Sequence, residues 1–446
     1  MFISISGEEM VMIRNAGRLD PFLMSIVSSD DHWMYVSSTG CLTAGRKHSE
    51  NALFPYVTDD LLHVNGHFTG PITVIKLKEA NGKTLKDWEP FSLWASEYQI
   101  ERNLYKGAIG NSVVFEEINL CVGLVFRYQW FNSRKFGFIR RATLINNNDH
   151  SIDINLVDGL QNVMPSGIAL HTQQTMSNLA NAYKISEYFP DTNCALFSLN
   201  ALLLDRPEPG ESLRTNVVWC STQTPYLISI SNEMLKTFKR EGNFIEQHRL
   251  TGKSGSFLIN MTESLPRSGE LSWDILADVN KTQAGIAFLE RMIQNTDDLE
   301  DEINNSIRKG TEELRINIGS ADGFQVSNNE MEDLHHTSNV LFNIMRGGVF
   351  VDNYIVEKNN FFHFLNIRNK EIAEEFSNKL SSFPESIEIT GLLKLALKTK
   401  NSSFIRLCHE YLPLTFGRRH GDPSRPWNYF NIQVKDKSGV QLFCYE

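Results

Sequence analysis

The sequence predicts a β + α multidomain protein: a large N-terminal antiparallel β-sandwich followed by a mainly helical part. Three observations carry that expectation. Up to about Val279, apolar and polar residues alternate at the period of strands, with no helical spacing between the runs. After Asp278 the period lengthens to that of helices. The 446 residues also exceed one ordinary core, so two or three domains are expected.

The alternation is clearest in FGFIRRATLINNNDHSIDINLV, Phe136 to Val157. Phe136, Phe138, Arg140, Ala142 and Leu144 share one parity. Beyond the polar NNNDH turn, Ile152, Ile154 and Leu156 alternate with Ser151, Asp153 and Asn155. This reads as a hairpin with a polar tip and one buried face. ALFSLNALLLD and TNVVWCS, joined by RPEPGESLR, read as a second strand pair with a Pro/Gly connection. Many strands of this kind imply two sheets packed face to face.

In KTQAGIAFLERMIQN, Ile286, Leu289, Met292 and Ile293 fall on one helical stripe. TDDLEDEINNSIRKG follows, with acids in its first turns and Arg308 and Lys309 near its end, the polarity a helix dipole favours. SNNEMEDLHHTSNVLFNIMRGG predicts a further helix. Ser327 with Glu330 makes a capping box, Met331, Leu334, Leu341, Phe342 and Met345 form the apolar stripe, and Gly347 ends it. More helices are expected near Lys370–Leu380, Glu388–Lys398 and Phe404–Leu412. The predicted domains are therefore 1–280 (sandwich), 281–325 (helical linker) and 326–446 (the start of a helical domain).

A net charge of −10 argues against a nucleic-acid partner. Six scattered cysteines without a CxxC pair favour reduced thiols over a disulfide framework or zinc site. The N-terminus lacks a basic region followed by an apolar core, and the strongest apolar run, Ile118 to Phe126, falls short of the ~20 residues a membrane helix requires. A cytoplasmic location without membrane contact is expected. The adjacent His335 and His336 point about 100° apart on a helix and make no metal pair. No metal or organic cofactor is expected, and no known nucleophile, phosphate-loop or dinucleotide motif is present.

Two segments concentrate polar chemistry. STGCLTAGRKHSENALFPYVTDD, Ser38 to Asp60, gathers hydrogen-bonding groups around Arg46, Glu50 and Asn51. FGRRHGDPSRPWNYF, Phe416 to Phe430, offers Arg418, Arg419 and Arg425 as forked donors for phosphate, carboxylate or vicinal hydroxyls. His420 stands among them. Asp422 can orient a guanidinium or accept a sugar hydroxyl, and Trp427 presents a flat face for a sugar ring.

Together with EYQIERNLYKGAIGNSVVFEEIN and the Phe136–Val157 stretch, these segments resemble, in order, the cellobiose-phosphorylase-like glycoside phosphorylases. That family is also classed as glycosyltransferase family 36 and includes the phosphorylase part of cyclic β-glucan synthases. The resemblance implies a galactose-mutarotase-like super-sandwich, a helical linker and an α/α-barrel of six helix pairs. It implies inverting phosphorolysis of β-glucosidic oligosaccharides, with inorganic phosphate as co-substrate. It also implies a homodimer in which the loop carrying Arg46, Glu50 and Asn51 reaches the partner's site.

Six pairs require about a dozen helices of about 12 residues each, more than the stretch after residue 280 holds. The family's Trp-Arg-Asp motif and catalytic aspartate have no counterpart here. The sequence therefore predicts an incomplete barrel, a fragment whose catalytic residues lie elsewhere, and a chain that binds carbohydrate without turning it over. The alternatives are a self-sufficient, non-catalytic carbohydrate-binding protein, or a hydrolase using Asp422 and Glu410 as its carboxylate pair.

Overall fold

The computed structural model describes residues 2–5, 7–79, 85–94, 97–203, 210–296, 298–320, 323–345, 348–350, 355–381, 383–411, 414–416, 429–435 and 441–445. The chain forms two compact units, Met1–Leu314 and Arg315–Glu446.

In the first unit, eleven strands make one sheet. Its spatial order begins Phe2–Ile5, Glu8–Ile13, Ile100–Gly107, Val113–Asn119, Leu124–Ser133 and Gly137–Asn146. It continues Glu270–Lys281, Thr215–Ser221, Cys194–Leu199, Lys184–Phe189 and Arg249–Thr251. A four-stranded sheet follows the order Leu227–Ser229, Gly255–Leu265, Ile152–Val163, Gly70–Glu79. Another four strands, Leu23–Ser25, His32–Ser37, Leu42–Arg46 and Ala52–Phe54, form a third sheet in chain order. One apolar core joins the three. It takes Phe126, Phe138, Ala142, Leu144 and Trp273 from the large sheet, Ile75, Leu156 and Ile259 from the second, and Met34, Val36 and Leu42 from the third. Each of the larger of these side chains contributes roughly 1.5–3 kcal/mol by leaving water.

The Phe136–Val157 stretch is not a hairpin. Gly137–Asn146 pairs with Leu124–Ser133 and Glu270–Lys281 in the large sheet, whereas Ile152–Val163 pairs with Gly255–Leu265 and Gly70–Glu79 in the second. The turn carries the chain from one layer to the other, and the two apolar faces meet across the core instead of lying side by side. Asn146 fixes this crossing: its amide donates to the carbonyls of His150, Leu265 and Pro266, and its Oδ1 accepts from Asn148 N. The second expected pair is present, Cys194–Leu199 against Thr215–Ser221.

The opposite face of the large sheet is covered by helices. Ile286 and Leu289 of Gln283–Asn295, with Ile303 and Ile307 of Leu299–Ser320, pack on Phe131, Phe136, Ile139, Val217, Trp219 and Leu276. The first of these helices is capped by Thr282 Oγ1, which accepts from Gly285 N at 3.1 Å. The second runs on to Ser320, so Arg308 and Lys309 lie mid-helix and not at its end. The next helix, Glu330–Met345, starts from Asn329 and not from a Ser327–Glu330 box. Asn329 Oδ1 accepts from Met331 N, while Ser327 Oγ accepts from Asn329 N and Ser327 N donates to Asp333. Met331 is exposed and Leu341 buried; the side chains of Phe342 and Met345, and Gly347, lie outside the described residues.

In the second unit, helices Lys358–Arg368, Lys370–Ser381, Ile389–Thr399 and Ser402–Glu410 share a core of Phe361, Leu365, Phe376, Leu392, Phe404, Leu407 and Tyr411. The last three match the expected positions; the first had no sequence-based expectation. Gly348–Phe350 pairs antiparallel with Leu414–Phe416, so the chain leaves for this helical excursion and returns from it at one place. Among the described residues no helix is long and apolar enough to cross a membrane.

Two buried lysines make the first unit sensitive to pH. Lys106 Nζ donates to the carbonyls of Ser25 and Gly110, and Lys184 Nζ to Ser254. Burial lowers them to about 7 and about 8. In the unfolded chain both keep their protons to near 10.4, so between pH 7 and 9 the unfolded state binds more protons. Stability is expected to rise across that window, by on the order of 2 kcal/mol. Guanidinium midpoints at pH 7 and 9 check this; an unchanged or lower midpoint at pH 9 contradicts it.

Candidate functional site

Of the sequence-predicted site residues, Arg418, Arg419, His420, Asp422, Arg425 and Trp427 lie outside the described residues. The loop carrying Arg46, Glu50 and Asn51 is described. Arg46 ends the strand Leu42–Arg46, and its guanidinium is fully engaged. Nε donates to Asp31 at 2.6 Å, Nη2 to Asp30 at 2.9 Å and Nη1 to Asp278 at 3.1 Å. Burial opposes its charge, but Asp278 and Asp31 together raise its pKa. Arg46 thus clamps the loop before His32 to the end of the long strand Glu270–Lys281. Asp30, Asp31 and His32 gather three ligand-type side chains, but both carboxylates already accept from Arg46.

Glu50 is exposed, and its carbonyl accepts from Gly167 N. Asn51 is half-buried, and its carbonyl oxygen would lie 2.5 Å from a Cβ at Gly45, which must therefore stay glycine. The loop is a built wall, seated on the segment after Val163 by Gln173, whose amide donates to the carbonyls of Ser49 and Ile168.

The other end of the same stretch reaches a pocket. Thr39 and Gly40 line it together with His67, Thr73, Pro90–Trp94, Tyr128 and Arg140, around a cavity of about 100 Å³. Its floor begins with a buried ion pair: Arg140 Nη1 donates to Asp158 at 2.6 Å, both side chains fully buried. Asp158 also accepts from Thr73 Oγ1 at 2.6 Å and from Trp273 Nε1 at 2.7 Å. The guanidinium lies 4.6 Å from the Tyr128 ring centre, a cation–π contact. Arg140 Nε is buried without a hydrogen-bond partner, a state that costs about 1–3 kcal/mol.

Above Arg140 stands Tyr128, stacked on Phe115 at 4.7 Å. Burial raises its phenol well above the ordinary value, with Arg140 opposing, so it stays a protonated donor. Gly40 lets the neighbouring strand approach: at φ +93°, a Cβ there would sit 2.7 Å from Tyr128 Oη.

The rim is the loop from Trp88 to Trp94, anchored by the fully buried Glu117. That carboxylate accepts from Trp88 Nε1 at 2.8 Å, Phe91 N at 2.7 Å and Arg102 Nε at 2.7 Å. Phe91 is thereby held at φ +60°, a left-handed conformation that costs a non-glycine residue about 1–3 kcal/mol. Trp94, 73% exposed, stacks on His67 with ring centres 5.0 Å apart and planes at 24°.

A larger groove of about 580 Å³ lies on the helical side of the large sheet, around Arg141, Thr222, Asp274 and Glu300. Its cation is already satisfied. Arg141 makes two bonds of 2.8 Å to Asp274 and a third to Asn304.

Sequence reasoning placed Arg140 on the mostly apolar parity of its strand without assigning it a role. A charged residue on a buried face was the available signal for this pocket. Trp94 lies in an irregular loop where no periodicity marks it.

Residues 350–413 match the family model of glycoside hydrolase family 149 insertion domain 1. These residues correspond to the helical excursion between the paired strands Gly348–Phe350 and Leu414–Phe416. No curated protein matches the chain. Among solved structures, a bacterial glucoamylase complexed with acarbose is similar at 9% identity over 86% of this chain and 56% of its own, with a TM-score of 0.40. A protein from the human microbiome assigned as a kojibiose phosphorylase shares 9% identity over 65% of this chain and 29% of its own, with a TM-score of 0.27. A protein assigned as an aldose 1-epimerase, from Klebsiella pneumoniae subsp. pneumoniae, shares 10% over 64% and 91%, with a TM-score of 0.25. This chain thus spans 56% and 29% of the first two structures. At such scores these likenesses carry no argument by themselves. What relates the chain to glycoside hydrolase-type carbohydrate-active proteins is the segment 350–413.

Proposed function

We propose that the chain is the carbohydrate-binding, sandwich-bearing part of a glycoside phosphorylase-type enzyme that acts on β-glucosidic oligosaccharides. One observation carries this reading: a segment similar to a glycoside hydrolase family 149 insertion domain follows a large antiparallel sandwich in the same chain. The resemblance of the four sequence segments to cellobiose-phosphorylase-like enzymes supports the finer assignment. On this reading the helix Glu330–Met345 belongs to an α/α-barrel, and the excursion interrupts that barrel just before Arg418 and Arg419.

Phosphorolysis with inversion needs one carboxylic acid. Phosphate attacks the anomeric carbon from one face while the acid protonates the departing oxygen on the other. Arg418, Arg419, Arg425 and His420 suit the phosphate dianion, and Trp427 and Asp422 suit the sugar. Arg46 clamps the base of the loop of Glu50 and Asn51 to Asp30, Asp31 and Asp278, and in a homodimer that loop would face the partner's site. The carboxylates near the described pocket, Glu89 and Asp158, are held in ion pairs with Lys239 and Arg140 and supply no free acid. The setting is cytoplasmic.

The test is incubation of the chain with cellobiose or laminaribiose and phosphate, together with saturation-transfer NMR for binding. Sugar binding without release of sugar phosphate is the expected result. Robust turnover, or no binding of any β-glucoside, overturns the reading.

A further inference from the structure

We infer that the pocket beneath Trp94 is a subsite for one neutral pyranose, built entirely by the first unit. The inference rests on the reading above for the class of ligand, but its residues are not those of the 418–427 segment. Four features of the pocket require a ligand of this chemistry.

First, the inner end of the pocket carries a donor. Tyr128 lines it, and burial keeps its phenol protonated, able to donate to an acceptor in the cavity. Arg140 Nε, beneath it, is buried without a partner and is closed off from the cavity.

Second, charge is balanced. Arg140 is paired with Asp158, and Lys239 with Glu89 at 2.7 Å. No net positive charge remains to select a phosphate or carboxylate, so hydroxyl oxygens are the matching acceptors.

Third, the mouth carries an aromatic platform. Trp94 is largely exposed and stacks on the ring of His67, which lines the same pocket. An indole held in this way offers a flat apolar face to the C–H side of a pyranose, while the hydroxyls on the ring edge turn inward. An exposed tryptophan that only filled space would not need a stacked support.

Fourth, the rim is strained and the strain is enforced. Phe91 keeps a left-handed backbone because the fully buried Glu117 accepts its N–H. Strain of this sort persists where a loop must hold one shape. The cavity of about 100 Å³ admits one ring edge and not an extended chain. The occupant is thus a single terminal sugar residue.

The test uses the full chain, with glucose, cellobiose and laminaribiose titrated by calorimetry, and acrylamide quenching of tryptophan fluorescence as a second readout. Trp33, Trp88, Trp130, Trp219 and Trp273 are buried, so in a Trp427→Ala background sugar should shield the quenchable signal of Trp94. Trp94→Ala is expected to weaken one class of binding by tenfold or more, and Tyr128→Phe by about threefold to tenfold. Trp427→Ala should leave that class intact. Binding that survives in Trp94→Ala and disappears in Trp427→Ala would overturn this subsite while leaving the proposed function standing. No binding of any of the three sugars to the unaltered chain would overturn both. Equal loss in Trp94→Ala and in Lys78→Ala, at an exposed lysine outside the pocket, would show a non-specific effect and also overturn the subsite.

Discussion

Replacing Asp158 with alanine is expected to cost the first unit about 3–5 kcal/mol, the range for breaking a buried ion pair by removing one partner. Three donors lose their acceptor at once: Arg140 Nη1, Thr73 Oγ1 and Trp273 Nε1. Arg140 cannot escape to water, because it is fully buried between the layers. Guanidinium unfolding followed by tryptophan fluorescence measures the loss, and a cost below about 1 kcal/mol would show that water replaces the carboxylate. A double replacement, Asp158→Leu with Arg140→Met, is expected to recover much of the stability, since two apolar groups of similar size need no partners. The double variant is therefore expected to fold.

Removal of the Glu117 carboxylate is expected to cost about 3 kcal/mol and to loosen the pocket rim. Glu117→Ala orphans Trp88 Nε1 and Phe91 N, both buried or half-buried, and leaves the Arg102 guanidinium with only the Ser92 carbonyl. Each stranded buried donor costs about 1–3 kcal/mol. Relaxation of Phe91 out of its left-handed conformation returns part of that cost, so the total falls short of the sum. Thermal melts give the stability, and amide hydrogen exchange locates the effect. Exchange should accelerate in residues 88–94 well before it does in the strand Leu124–Ser133. Uniform acceleration through the sheet would show that Glu117 supports the core and not the loop. Glu117→Gln keeps an acceptor and is expected to lose less.

Alternation revealed the strands and the break near residue 280, because a half-buried strand repeats every second residue whatever it pairs with. It could not reveal partners. Gly137–Asn146 and Ile152–Val163 are neighbours in sequence joined by a polar turn, the pattern of a hairpin, yet their apolar faces oppose each other across the core. A period of two gives a face and not a layer. Helix ends were blurred for a similar reason. Ser327, Asn328 and Asn329 are all competent caps, and only the geometry selects Asn329.

The site was legible in part. The Ser38–Asp60 stretch was singled out for its polar density, and the structure shows two uses of it: Arg46 clamps three acids, and Thr39 and Gly40 line the pocket. The pocket as a whole was not foreseen. It draws on six separate parts of the chain, and neither composition nor spacing links Trp94 to Arg140.

The order of strands in the large sheet sets a schedule for synthesis. From Ile100 to Asn146, four strands pair with their immediate successors and can assemble as they emerge. The next place in the sheet belongs to Glu270–Lys281, with Phe138 against Ala277 and Ile145 against Glu270. At the ribosome's about 5–20 residues per second, the free edge of Gly137–Asn146 waits on the order of ten seconds. During that interval a strand meant for the middle of the sheet is exposed as an outer one, with Phe138, Ala142 and Leu144 on one face and Ile139 and Ile145 on the other. The segment made last is laid into the centre, so the nascent protein depends on whatever shields that edge until it arrives.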